Sequence, residues 1–123
     1  MKTTRTIKRA PAVFYETSVG NEPVWEWLRS GRLTKEDRKI IGTDIATAEY
    51  GWPIGMPTCR SITSRKGLWE IRSSITNGRI ARVLFCVHDG KLVLLHGLVK
   101  KSQQTPDYDL DLAVKRQKQV EKQ

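Results

Sequence analysis

The chain has 123 residues and a mass of 14.1 kDa, with 38% hydrophobic residues and a net charge of +9. That length predicts one domain over residues 1–123, large enough to bury a core without disulfide staples. No apolar run approaches the roughly 18 residues of a membrane span, and no apolar segment follows the basic start Met1–Arg5, so neither a membrane anchor nor a secretory signal is expected.

Cys59 and Cys86 are too few for a disulfide framework or a cysteine-rich metal centre, and they read as reduced thiols in a cytoplasmic protein. Charge is unevenly placed. Residues 60–101 hold nine basic side chains against Glu70 and Asp89, a local +7 that suits a polyanionic partner or a solvated basic surface.

In chain order, residues 1–11 read as a loosely held basic arm, and Ala12–Tyr15 as a short strand of β-favouring residues. Pro23 opens a short helix through Leu28, which Gly31 ends. Thr34 is a good N-cap for a second helix, with Glu36 and Asp37 in its first turn. Ile41, Ile45 and Ala48 recur at helical spacing, and Gly51 followed by Pro53 stops it. The period then shortens. Leu68–Ile75, Ile80–Val87 and Leu92–Val99 are strand-like runs separated by Asn77-Gly78 and Asp89-Gly90, strong hairpin signals. Thr105-Pro106 opens a last helix with Leu110, Ala113, Val114 and Gln117 on one side. The fold class is therefore α+β, with an antiparallel meander of three to five strands.

Loop length decides which side chains share a face. A two-residue turn at Asn77-Gly78 sets Arg82 beside Trp69 and Ile71. A three-residue loop, Thr76–Gly78, sets Arg72 opposite Arg82, and the same loop type at His88–Gly90 sets Arg82 opposite His96. The second arrangement is preferred because an unpaired arginine in an apolar core costs several kcal/mol. It places Trp69, Ile71, Ala81, Val83, Phe85, Val93 and Leu95 on one face. Glu70, Arg72, Arg82, Leu94, His96 and Lys100 then lie on the other. Adjacent guanidiniums repel. Either Glu70 and solvent satisfy them, or an anion such as phosphate sits between them.

The strings Leu68-Trp69-Glu70-Ile71-Arg72, Ala81–Phe85, Val93–Lys101 and the closing Thr105-Pro106 together resemble the phage-derived host-killing toxins, the HigB-type branch of the RelE/ParE toxin superfamily. The resemblance spans residues 12–120, with departures at Phe85, Cys86 and Gln104. It implies a RelE-like fold: a short N-terminal strand, two helices, an antiparallel sheet and a C-terminal helix. It also implies ribosome-dependent mRNA cleavage with no metal and no cofactor. The partners would be the ribosome, mRNA and a cognate antitoxin, usually a helix-turn-helix protein.

Metal-free RNA cleavage requires a deprotonated 2′-hydroxyl, a stabilised phosphorane and a protonated leaving oxygen. Arg72 and Arg82 match the family's paired sheet arginines and are expected to stabilise the phosphorane, often the largest contribution. His96 is the candidate acid or base, or else a satisfied sheet histidine. Lys100 is a candidate acid or backbone clamp, and Glu70 a base or an arginine partner. Arg60, Arg65, Lys66, Arg79 and Lys101 are candidate RNA contacts. Trp69 is expected to face the core, and Trp25, Trp27 and Trp52 to pack. No zinc-peptidase, CxxC, P-loop or dinucleotide motif occurs, and His88 with His96 makes no metal site. Two other classes stay open: a non-enzymatic ParE-like topoisomerase-binding toxin and a passive RNA- or ribosome-binding module.

Overall fold

A computed structural model describes residues 7–122. Strand β1 (Ala12–Phe14) leads to helices α1 (Pro23–Leu28) and α2 (Lys35–Gly51). Strands β2 (Cys59–Ser61), β3 (Trp69–Ser74), β4 (Ile80–His88) and β5 (Lys91–Lys100) follow, and helix α3 (Asp107–Glu121) closes the chain. The strands form one sheet in the order β1-β5-β4-β3-β2. It is mixed, because β1 runs parallel to β5 while the other pairs are antiparallel. The expected meander is its centre. β2 escaped the sequence reading because three residues, Cys59-Arg60-Ser61, show too little alternation to announce a strand.

Two apolar layers sandwich the sheet. Ile41 and Ala48 of α2 and Val24 of α1 pack on Ile71, Ala81, Val83, Phe85, Leu92 and Leu94. On the other face Leu110, Ala113 and Val120 of α3 pack on Leu68, Leu84, Cys86, Val93, Leu95 and Leu98. The expected basic arm is corrected in part. Residues 1–6 lie outside the described residues, but Arg9 and Ala10 donate backbone hydrogen bonds to the Glu49 carbonyl, and Lys8 pairs with its carboxylate at 3.1 Å. Ala10 is buried.

Asp37 ties α2 to the sheet. Its carboxylate closes a capping box, accepting from the Thr34 amide at 3.0 Å while the Thr34 hydroxyl accepts from the Asp37 amide. The same carboxylate accepts from the Thr76 amide at 3.1 Å, the Thr76 hydroxyl at 2.8 Å and the Arg79 guanidinium at 2.8 Å. Four donors on two oxygens satisfy a fully buried carboxylate. Thr76 is the extra residue of the β3–β4 loop, followed by Asn77 and Gly78 at φ 61° and 68°. The three-residue loop is thus present, and Arg72 stands opposite Arg82 as expected.

The second hairpin differs from expectation. Asp89 takes φ 51° beside Gly90 at 73°, so the turn has two residues and His88 pairs with Lys91. The register then shifts once, between Leu84 and Phe85. Leu94 pairs with Phe85 and His96 with Leu84, leaving Leu95 as the unpaired bulge residue. Arg82 consequently faces Leu98, not His96. Between turn and bulge the faces are exchanged: Leu94 joins the α2 layer, and Val93 and Leu95 the α3 layer.

Trp69 and Trp52 pack with Phe85, at 5.0 Å between the two indole centroids. Trp27 lies on Gly97. Trp25 corrects the packing expectation: it is 43% exposed, against Phe14 and Arg29.

Burial would raise the Asp37 carboxyl, but the hydrogen bonds from Thr34 and Thr76 hold it well below the usual carboxylate range. Its stabilising contribution is therefore complete above about pH 4, the ordinary unfolded value, and is lost as pH falls toward the depressed folded value. Asp37→Asn is expected to lower the melting temperature at pH 7 and to flatten its fall at acid pH, measured by circular dichroism. A Cβ at Gly97 would overlap the Trp27 ring. Gly97→Ala is expected to cost about 1–3 kcal/mol by overpacking, read from denaturant midpoints.

Candidate functional site

The α3-side face of the sheet has two chemically distinct ends. Helix α3 covers the apolar end. At the other end β2, β3 and β4 bring Arg60, Glu70, Arg72 and Arg82 together, since Arg60 pairs with Glu70 and Arg72 with Arg82. Glu70 and Arg82 are fully buried. Glu70 Oε1 lies 3.3 Å from Arg60 and 3.8 Å from Arg72. Its Oε2 accepts from the Thr105 hydroxyl at 2.7 Å.

Arg82 donates to the Ser102 carbonyl, and Arg72 to the Gln103 side-chain oxygen at 3.1 Å. Arg82 Nε and Nη1 find no hydrogen-bond partner among the described residues. Burial lowers the proton affinity of Arg82, Glu70 opposes that, and Arg72 and Arg60 add to it. Arg60 and Arg72 lie within 4 Å of the carboxylate and Arg82 feels its charge, an excess of two positive charges that runs from the half-exposed Arg60 to the fully buried Arg82. Arg82 was expected beside the core and not in it; its complete burial corrects that.

His96 shares this face but serves another contact. Its Nε2 is 2.7 Å from Asp109 Oδ1 on α3, and its Nδ1 is 3.5 Å from Arg116. Arg116 itself donates to the Leu95 carbonyl at 2.7 Å. The bulge at Leu95 and the turn at Asp89-Gly90 carry His96 two residues from the place opposite Arg82. The expected adjacency of His96 to Arg82 is therefore absent, and the histidine joins β5 to α3.

The other candidates separate. Lys100 pairs with Ile80 beyond Arg82 on the same face and is exposed, as are Lys101 and Lys66. Arg65 holds α3 through Asp111 at 2.9 Å and Asp107 at 3.4 Å. Arg79 points to the opposite face, onto Asp37. Reading the sequence missed Ser102, Gln103 and Asp109, and gave Thr105 as a helix start and closing motif but not as the partner of Glu70, because a short polar segment and one helix aspartate carry no periodic signal.

Two clefts flank the cluster. One, about 610 Å³, is lined by Arg72 and Gln103 together with Ile40, Asp44 and Met56. The second, about 470 Å³, runs from Arg60 to Thr105 and Asp107. Among the described residues no three His, Cys, Asp or Glu side chains converge as a metal site requires. Cys59 and Cys86 lie in opposite apolar layers, and burial pushes both up to about 11, so they are thiols and not nucleophiles. No helix among these residues is long and apolar enough to cross a membrane.

The architecture is that of a small α+β protein whose sheet presents a cationic end beneath a polar segment. The family model for phage-derived Gp49-like proteins (DUF891) matches residues 26–118, and the chain belongs to that family, a RelE/HigB-like one of phage-derived toxin type. No curated protein and no solved structure gives a significant match.

Arg82 combines complete burial with two unpartnered donors, which destabilises the fold it sits in. Arg82→Met keeps most of the volume and removes that burden. It also takes a counter-charge from Glu70 and the donor from the Ser102 carbonyl, but Glu70 keeps Arg60, Arg72 and the Thr105 hydroxyl. The net change in stability is therefore expected to stay within about 1–2 kcal/mol, measured by chemical denaturation. Loss of stability of the size seen when a needed buried partner is removed would mean that Arg82 mainly neutralises Glu70.

Proposed function

We propose that the protein is the toxin of a type II toxin–antitoxin system, a metal-independent endoribonuclease of the HigB type that cleaves mRNA on the ribosome. The observation that carries this reading is the group of Arg60, Arg72 and Arg82 about a single carboxylate, two of whose buried arginine donors are unpaired. A phosphodiester offers the oxygens these donors lack, and arginine forks match phosphate geometry. Positive charge fixed in a poorly solvated site stabilises a phosphorane without reorganisation. Arg72 and Arg82 are the stabilising groups in this reading, and Arg60, Lys66, Lys100 and Lys101 guide the strand.

His96, held by Asp109 on α3, is the candidate acid or base of the same face, two residues along β5 from the place opposite Arg82. Lys100 is the alternative proton donor. The antitoxin is a helix-turn-helix protein that neutralises the basic face or blocks entry to the ribosome, and the toxin acts in the cytoplasm.

Expression in a bacterium with primer extension on a reporter mRNA tests the reading. Cleavage inside the coding region is expected, and it should vanish when translation is blocked. Arg72→Ala, at a side chain that is not fully buried, is expected to lower cleavage about 10²-fold with an unchanged circular dichroism spectrum. Growth arrest with intact mRNA would point to a topoisomerase-binding toxin. Affinity for single-stranded RNA should fall with salt at a log–log slope of roughly −0.7 per phosphate contact, and Lys100→Ala should remove about one contact.

A further inference from the structure

The segment Ser102–Thr105 lies across the cationic end of the sheet, and its contacts share one chemistry. The Ser102 carbonyl accepts from Arg82, and the Gln103 side-chain oxygen accepts from Arg72. The Thr105 hydroxyl binds the carboxylate that balances both arginines. Two uncharged oxygens thus occupy the donors of the two guanidiniums, where a phosphodiester would bring anionic ones. The occupancy is incomplete, since Nε and Nη1 of Arg82 stay unpaired.

The segment also lines both clefts. Gln103 lines the one that holds Arg72, and Gln104 and Thr105 line the one that holds Arg60.

We infer that Ser102–Thr105 is a strap that occupies the phosphate-oxygen positions of the arginine cluster, so that the phosphodiester backbone of a single strand enters by displacing it. This rests on the proposed phosphate-binding role of the cluster. The strap is a weaker ligand than the backbone it imitates: it brings no negative charge and leaves Arg82 partly unpaired. Apparent affinity is then reduced by the fraction of molecules in which the strap is open. Lys100 and Lys101, exposed where the strap begins, are placed to draw a polyanion toward it. The apolar clamp of Leu110 and Ala113 holds α3 in place while the polar segment before it moves.

The test uses the full chain and a short single-stranded RNA methylated at every 2′-hydroxyl, so that binding is read without cleavage. Gln103→Ala and Thr105→Val each remove one strap contact. Each is expected to raise affinity roughly two- to tenfold, with the salt dependence unchanged because the same phosphates are held. Gln103 is exposed, so its variant keeps the test sound if Thr105→Val folds poorly.

Backbone order parameters of residues 102–105, from nitrogen-15 relaxation, should fall when the RNA binds. Unchanged or weakened affinity in Gln103→Ala, or higher order parameters on binding, would overturn the strap and make the segment a brace or a closing lid. Absence of any binding overturns the strap, while the nuclease stands or falls with translation-dependent cleavage. Displacement of the strap with no translation-dependent cleavage would leave the strap standing and remove the endonuclease. Cleavage with no displacement would do the reverse.

Discussion

A single carboxylate decides which way the central strands face. Asp37 captures the amide and hydroxyl of Thr76, the extra residue between β3 and β4, and fixes Arg79 beside it. With Thr76 held, the hairpin closes over three residues and Arg72 meets Arg82. With a two-residue loop every side chain of β4 would reverse relative to β3. Arg82 would then enter the layer of Trp69 and Ile71 beneath α2, and Val83 and Phe85 would leave it. The helix cap and the cationic site are therefore one construction. A residue used to begin α2 also sets the register on which the opposite face depends.

That face resolves a conflict between packing and function. Its apolar end is closed by α3 through Leu110, Ala113 and Val120, with Arg65 and His96 bound to Asp111 and Asp109 at the edges. Its cationic end cannot be closed by an apolar helix, because Arg82 and Glu70 would lose their remaining partners. A polar segment, Ser102–Thr105, covers it instead. Ionic groups that pack imperfectly are costly where they serve only the fold, and they are the usual sign of a site that awaits a ligand.

The β4–β5 hairpin shows how two local departures can compensate. A two-residue turn at Asp89-Gly90 moves the pairing by one residue from that of a three-residue loop, and the bulge at Leu95 moves it by one more. Beyond the bulge the total shift is two, so Arg82, His96 and Lys100 share a face as the sequence suggests. The pairing itself is different, and Leu98 takes the position opposite Arg82. Between turn and bulge the shift is one, and there Val93 and Leu94 exchange faces. Asp89 carries the turn because a short polar side chain tolerates positive φ, which a pattern of hydrophobic residues does not register.

Much of this protein is written locally. Pro23, the Thr34 cap, Asn77-Gly78, Asp89-Gly90 and Thr105-Pro106 announce the boundaries of two helices, two hairpins and the last helix, because caps and turns depend on a few neighbouring residues. The preference for Arg72 opposite Arg82 was legible from the cost of an unpaired arginine in an apolar core, while the loop that fixes it is held by Asp37. The tertiary structure alone decided what depends on distant partners. It put Thr76 on Asp37, bulged Leu95, paired β1 in parallel with β5 and laid Ser102–Thr105 over the arginines. It also buried Arg82 completely and turned His96 toward Asp109. Each of these requires a carboxylate, a strand or a helix many residues away, and no pattern within a short window of sequence encodes such a meeting.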